Sequence, residues 1–226
     1  ADTAFIGAVG DDDFGAQARA QLEADGVDVS ELRTLEGVAT GTAMIAVDAR
    51  GENQIIVGLG ANQALRPDHV LAALDNRIER SRCVVVGTEI ADECVVAAVR
   101  RAREAGVLCV LVPAPARSSL LEAVEQRPLL TPNVGEAELL AEALGVGRPG
   151  REELAPALAR AAGVTVVMTC GADGAVIARP GEPAVPVAAP AVEVVDTTGA
   201  GDTFAGALAV RLAEGAELAE AARYAV

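Results

Sequence analysis

Short valine-rich runs alternate with helical patterns along most of the 226 residues, and this alternation constrains the fold more than any other feature. Residues 83–87 (CVVVG) and 107–112 (VLCVLV) are apolar throughout, and 164–170 (VTVVMTC) nearly so, the pattern of strands buried on both faces. Between such runs the period changes. Residues 14–24 carry Phe14, Ala18 and Leu22 at helical spacing, with Gly26 just past the end. Residues 67–79 open with Pro67, and residues 92–105 open with Asp92 and stop at Gly106. Further helices are expected at 118–126, 135–144, 151–162 and 202–214, with strands at 3–9, before Thr131 and at 193–195. Parallel strands need crossovers, which the helices supply. The prediction is α/β: a mainly parallel sheet covered by helices on both faces, in a single domain over residues 1–226. Two places break the alternation. Residues 41–47 and 53–57 flank Asp48-Ala49-Arg50-Gly51-Glu52 as a hairpin standing apart from the main sheet, and residues 174–179 and 184–188 read as a second hairpin.

Composition removes several classes of function. The formal net charge is −15 and all 18 basic residues are arginine, so a binder of the phosphate backbone of nucleic acid is disfavoured. Only Phe5, Phe14, Phe204 and Tyr224 are aromatic, too few for base-stacking platforms. Without lysine there is no Walker A loop and no Schiff-base chemistry. No apolar run is long enough for a membrane span, and no signal peptide opens the chain. Cys83, Cys94, Cys109 and Cys170 lack metal or disulfide spacing and read as small thiols in a reducing, cytoplasmic setting. The single histidine, His69, reads as a surface residue. The chain begins inside a strand pattern and ends inside a helical one, as a piece of a longer protein would.

The most informative stretch is residues 194–208, VVDTTGAGDTFAGAL. A strand is expected to run into Asp196, a glycine-rich turn to cover Gly199-Ala200-Gly201, and a helix to open at Asp202. Successive amides in such a turn, with the positive end of the helix, make an anion cradle. A carboxylate at that point suits a base that takes the proton of a hydroxyl held beside the anion, the arrangement phosphoryl transfer to an alcohol needs. The spacing equally allows Asp202 to be a helix cap and the glycines a tight turn. Asn133 and Glu136 stand three apart where a strand meets a helix. That spacing allows a capping box, and it also allows an amide and a carboxylate to face hydrated Mg²⁺ and phosphate. Thr169, Gly171 and Gly174 follow the carboxyl end of a strand, where open α/β sheets bind ligands, or they form an ordinary hairpin turn. Glu89 follows the end of another strand.

The segment DTTGAGDTFAGAL (196–208) resembles the C-terminal signature of the ribokinase, or PfkB-type, carbohydrate kinases. Other blocks agree in order: AFIGAVGDDDFG (4–15), TGTA (40–43), RGEN (50–53), GAN (60–62), PAPAR (113–117), TPNVGEAE (131–138) and TCGADG (169–174). The resemblance covers essentially the whole chain. It implies a kinase that uses ATP, Mg²⁺ and an activating monovalent cation, K⁺, to phosphorylate a hydroxyl of a small sugar. Ribose is the preferred acceptor; a fructokinase, a nucleoside kinase or a non-catalytic sugar- or nucleotide-binding remnant is the alternative.

By that resemblance Asp202 is the catalytic base and also touches the sugar, while Gly199, Ala200 and Gly201 supply the anion-hole amides. Asn133, Thr169, Gly171 and Gly174 bind nucleotide, Glu89 contacts the sugar, Glu136 serves Mg²⁺, and Asp196 and Thr198 belong to the monovalent-cation loop. Residues 41–57 form a β lid. Its first strand, TAMIAV (42–47), is apolar on both alternating faces and calls for a partner on each. A homodimer through the lid is therefore expected, with no nucleic-acid or membrane partner. The resemblance also implies sugar-contacting residues before Ala1 and adenine- and cation-site residues beyond Val226.

Overall fold

The computed structural model describes residues 2–47, 53–194 and 196–226. The chain divides into two units, Ala1–Asn76 with Glu89–Cys94, and Arg77–Thr88 with Val95–Val226.

In the first unit, strand β1 (Gly7–Gly10) leads into helix α1 (Asp13–Ala24), whose N-cap Asp12 accepts from the Gly15 amide. Strand β2 (Leu32–Leu35) pairs parallel with β1, Gly7 opposite Leu32. The run 3–9, expected as one strand, forms a ladder only from Gly7, with an isolated bridge from Ala4 to Asp28 before it. Strand β2 was not expected, because Leu32–Leu35 contains Arg33 and Thr34 and lacks a continuous apolar run. Val9, Val29 and Leu32 form a small core here, with Ala18 and Leu22 packed on it. Strands β3 (Thr42–Val47) and β4 (Asn53–Gly58) form an antiparallel pair with Met44 opposite Ile56. The turn predicted at 48–52 lies outside the described residues. Helices α2 (Ala61–Ala64) and α3 (Pro67–Asp75) follow. His69 is half-buried rather than on open surface: its Nδ1 is enclosed on the first turn of α3.

The second unit is built on one six-stranded sheet. Strands β5 (Cys83–Gly87), β6 (Leu108–Val112), β7 (Leu129–Leu130) and β8 (Val166–Thr169) run parallel, and β9 (Ala175–Ala178) and β10 (Val185–Val187) extend the sheet antiparallel, in the spatial order β10-β9-β8-β7-β6-β5. Helix α4 (Asp92–Glu104) crosses over between β5 and β6. The helix expected at 118–126 is a 3₁₀ turn, Ser118–Leu120, followed by α5 (Leu121–Val124). Helices α6 (Val134–Ala143) and α7 (Arg151–Ala162) follow β7 and pack on each other and on β8. Helices α8 (Ala200–Ala213) and α9 (Leu218–Ala225) close the chain. Phe204, Leu208 and Ala209 of α8 and Ala221 and Ala222 of α9 pack against Val110, Val167, Ala175, Ile177 and Val187. The alternate residues Leu111, Val166 and Met168 are also buried, so β6 and β8 are covered on both faces, whereas β5, expected to be buried on both, is an edge strand with Val85 48% exposed.

Of the strand expected at 193–195, Glu193 and Val194 carry no regular structure and Val195 lies outside the described residues. Residues 188–192 are likewise irregular, and Val192 and Val194 stand 71% and 63% exposed. Pro190 cannot donate to a ladder, and among the described residues no strand pairs with this stretch.

Gly174 closes the turn between β8 and β9 at φ +87°, where a Cβ would stand 2.0 Å from the Val187 carbonyl oxygen. Gly171 in the same turn has φ +61° with open space around it. Gly171→Ala is therefore expected to cost about 1 kcal/mol, the backbone term alone. Gly174→Ala is expected to cost more than about 2 kcal/mol, because strand β10 must also shift. Thermal unfolding of the two variants checks this, and equal losses would contradict the close contact.

Candidate active site

The carboxyl ends of β5 to β8 come out along one edge of the sheet, and each breaks into a loop tied to its neighbour. The Thr88 hydroxyl, fully buried beyond β5, donates to the Pro115 carbonyl at 3.1 Å and so joins the β5 end to the loop after β6. Thr131, just past β7, donates to the Leu111 carbonyl through its amide at 3.0 Å and its hydroxyl at 3.2 Å. The Thr169 amide donates to the Pro132 carbonyl at 2.9 Å, and an isolated parallel bridge links Asn133 to Thr169. Two of the predicted nucleotide residues, Asn133 and Thr169, are thus brought side by side by backbone pairing. Gly171 and Gly174 lie in the turn that follows, where the Cys170 amide donates to the Gly174 carbonyl at 2.7 Å. Sequence reasoning missed Arg151, which spans this turn to the Cys170 carbonyl (3.3 Å) and the Asp173 carboxylate (2.7 Å). No spacing rule links the start of one helix to a turn about twenty residues on.

The start of α8 reaches the same edge. At the other end of that helix the Ala213 carbonyl accepts from Arg82, which immediately precedes β5. The C-terminus of α8 therefore lies at the amino end of the sheet, and its N-terminus points toward the carboxyl end. Gly199 is the N-cap in the left-handed region at φ 71°, and Asp202 sits exposed on the first turn. The first-turn amides of Gly201 and Asp202 are of the kind that helix geometry leaves without an intrahelical acceptor. The Ala200 amide is engaged, donating to the Thr197 carbonyl at 3.1 Å. Asp202 does not cap its helix: it lies inside α8, which starts two residues earlier than predicted. Asp196 accepts from the Thr198 amide at 2.8 Å, and the Thr198 hydrogen bonds hold its carboxyl below the usual aspartate range. Glu89, exposed two residues past β5, belongs to the first unit.

Asn133 and Glu136 form a full capping box on α6. Asn133 Oδ1 accepts from the Glu136 amide at 2.9 Å, and Glu136 Oε2 accepts from the Asn133 amide at 2.8 Å. Burial raises the Glu136 pKa, and the Asn133 amide partly offsets that. The box occupies one carboxylate oxygen. Among the described residues no group of three acidic, histidine or cysteine side chains converges to hold a metal. A lone half-buried carboxylate still fits Mg²⁺, which is bound through one or two carboxylates, waters and substrate phosphates rather than by a protein cage. The four cysteines are free, and burial lifts the thiols of Cys83 and Cys94 to about 11 and that of Cys109 to about 12, so none of these three is a nucleophile at neutral pH.

The sequence profile of the pfkB family carbohydrate kinases matches residues 1–226. A ribokinase of Bacillus subtilis is 36% identical over 221 residues, covering 98% of this chain and 71% of its own. The crystal structure of a Thermotoga maritima ribokinase superposes with a TM-score of 0.87 at 28% identity, over 98% of this chain and 71% of that one. The structure of Arabidopsis thaliana ribokinase complexed with ribose and ATP superposes with a TM-score of 0.85 at 30% identity, over 99% of this chain and 73% of that one.

The capping box has a measurable signature. Glu136→Gln keeps an acceptor for the Asn133 amide, so it is expected to change stability little, whereas Glu136→Ala should cost about 1 kcal/mol. The raised pKa also sets a sign. The folded state holds the Glu136 proton more tightly than the unfolded one, so its contribution is present below the ordinary glutamate range and is lost as pH rises through the raised value. The stability of Glu136→Gln relative to wild type should therefore grow as pH rises from about 4. Thermal melts from acid to neutral pH check this, and a pH-independent difference would contradict it.

Proposed function

The chain belongs to the pfkB family of carbohydrate kinases, and from that membership we propose that it transfers the γ-phosphoryl group of ATP to a hydroxyl of ribose, giving ribose 5-phosphate. The observation that carries the reading is Asp202, exposed on the first turn of α8 beside unpaired-type helix amides, at the sheet edge that also holds Asn133 and Thr169. Asp202 contacts the sugar and takes the proton of the attacking hydroxyl. The amides of Gly199, Ala200 and Gly201, with the positive end of α8, stabilise the charge gathering on the phosphoryl oxygens. Ala200 takes part once its bond to Thr197 opens.

Asn133, Thr169, Gly171 and Gly174 line the nucleotide, and Glu89 contacts the sugar. Glu136 holds Mg²⁺ through water, and the ion when bound neutralises phosphate charge that no lysine is present to meet. The Asp196–Thr198 loop serves a monovalent cation, K⁺; the ionised state of Asp196 supports that role. We read residues 1–226 as one catalytic domain with residues 41–57 as its lid, acting in the cytoplasm. Met44 and Ile56 on one face of β3–β4, and Ile45 and Val57 on the other, are more than half exposed, which supports a homodimer through the lid.

The deciding experiment is phosphoryl transfer from ATP to ribose, fructose and adenosine by the chain and by Asp202→Asn. Ribose is expected to be the preferred acceptor, and Asp202→Asn is expected to lower turnover by roughly 10²-fold or more with nucleotide binding retained. Glu136→Gln should raise the Mg²⁺ requirement, and replacing K⁺ by a large organic cation should lower the rate. Near-normal turnover of Asp202→Asn would remove it as the base, and transfer to fructose or adenosine in preference to ribose would move the chain elsewhere in the family.

The dimer is tested by sedimentation. Charge introduced by Ile45→Glu or Ile56→Glu should convert a dimer to monomer at micromolar protein, and a wild-type chain sedimenting as a monomer would sink the interface.

A further inference from the structure

A cluster of hydrogen bonds that the proposed reaction does not use lies in the first unit, at the foot of the β3–β4 sheet. Asp12 Oδ1 accepts from the Gly15 amide at 2.9 Å as the cap of α1, and it also accepts from the Thr40 hydroxyl at 2.5 Å. The second oxygen, Oδ2, accepts from the Thr40 amide at 2.8 Å. Thr40 Oγ1 in turn accepts from the Gly10 amide at 2.9 Å. These bonds join the end of β1, the first turn of α1 and the residue two positions before β3. Capping alone needs one carboxylate oxygen; the other is committed to Thr40. The hydrogen bonds from Thr40, its hydroxyl above all, keep the Asp12 carboxyl below the ordinary aspartate range.

The returning leg of the hairpin is pinned at the same place. The Ala61 amide donates to the Ala39 carbonyl at 2.8 Å. A Cβ on Gly60 would stand 2.4 Å from the Ala39 oxygen, and one on Gly41 would stand 2.8 Å from the Leu59 oxygen. A Cβ on Gly10 would meet the Val38 oxygen at 2.2 Å, and one on Gly15 would meet the Gly10 oxygen at 2.3 Å. The outgoing leg therefore passes the β1–α1 turn at backbone contact and the returning leg lies against the outgoing one, with no room for a side chain at four positions. Beyond this foot, residues 42–46, 54 and 56–58 are all exposed. A two-stranded sheet is marginal by itself, so its direction is set where it is held.

We propose that Asp12 and Thr40 form a latch that orients the β3–β4 sheet, making Asp12 a positioning residue for binding of the sugar acceptor. The proposal rests on the reading of residues 41–57 as a lid. Asp12→Asn keeps an oxygen for the cap, since asparagine caps as well as aspartate, but its amide nitrogen cannot accept from Thr40. Thr40→Val removes the hydroxyl at nearly constant volume, and Thr40→Ser restores it.

Two measurements on the full chain decide the matter. Amide hydrogen exchange without ligand is expected to speed up roughly tenfold in β3 and β4 for Asp12→Asn and Thr40→Val, the scale of losing one charge-assisted hydrogen bond, with Thr40→Ser like wild type and β5–β8 unchanged. In steady-state kinetics the KM for ribose should rise roughly tenfold while that for ATP stays within about twofold. Exchange at wild-type rates in both variants overturns the latch. Equal rises in the two KM values also overturn it, because they report general loosening. Should Asp12→Asn fail to fold, the Thr40→Val and Thr40→Ser pair carries the same comparison. If the wild-type chain does not phosphorylate ribose, the proposed acceptor fails while exchange in β3 and β4 still decides the latch.

Discussion

The parallel ladder of β5 to β8 is the constraint on which the rest of the second unit depends. Val110, Leu111, Leu130, Val166 and Val167, on both faces of the sheet, are wholly removed from water. A parallel ladder also forces every crossover to leave from the same edge. That edge is where the apolar runs end and Thr88, Thr131 and Thr169 begin. Among the described residues Thr88 and Thr131 are the buried polar ones, and each spends its hydroxyl on a carbonyl at the neighbouring strand's exit. The loops that follow are held by these bonds, so they keep their place while their tips stay exposed.

Charge sets the second constraint. A chain with net charge −15 and no lysine has little positive side-chain charge to offer a polyphosphate. In the proposed function backbone takes that part, in the opening turn of α8 and the turn after β8. Amides and helix dipoles supply fixed partial charge without the entropy loss of ordering long side chains. The nearest arginine to the β8 turn, Arg151, is already paired with Asp173. This arrangement also explains the abundance of glycine in these turns, most clearly at Gly199, where the left-handed cap lets the helix begin directly after the loop.

The pair Asn133 and Glu136 forms a capping box in the structure, and the proposed function gives the same atoms a second part at nucleotide and Mg²⁺. As a capping box it starts α6 and fixes the direction of the chain leaving β7. The half-burial that raises the Glu136 pKa also limits how a cation could approach it, leaving outer-sphere contact as the chemistry that fits. Helix geometry and a kinase site ask for the same residues at the same spacing, and the spacing by itself could not separate them.

What the residues alone determined was the class of fold and the family. Continuous apolar runs bounded by turn signals favour buried strands, and helical periods between them favour crossovers, although at the sheet edge β5 leaves Val85 exposed. That logic located β5, β6, β8 and their helices, and the motif at 196–208 was legible because its glycines and aspartates are locally specified. It failed where pairing, not composition, makes the element. Leu32–Leu35 is a strand because β1 lies beside it, whereas Val192 and Val194 pair with no strand among the described residues. Tertiary structure alone decided that Asn133 meets Thr169, that Arg151 reaches Asp173, and that Asp12 holds Thr40, twenty-eight residues away. Each of these is a bond between groups distant in sequence, and no local period or propensity encodes a distance that only the folded backbone sets.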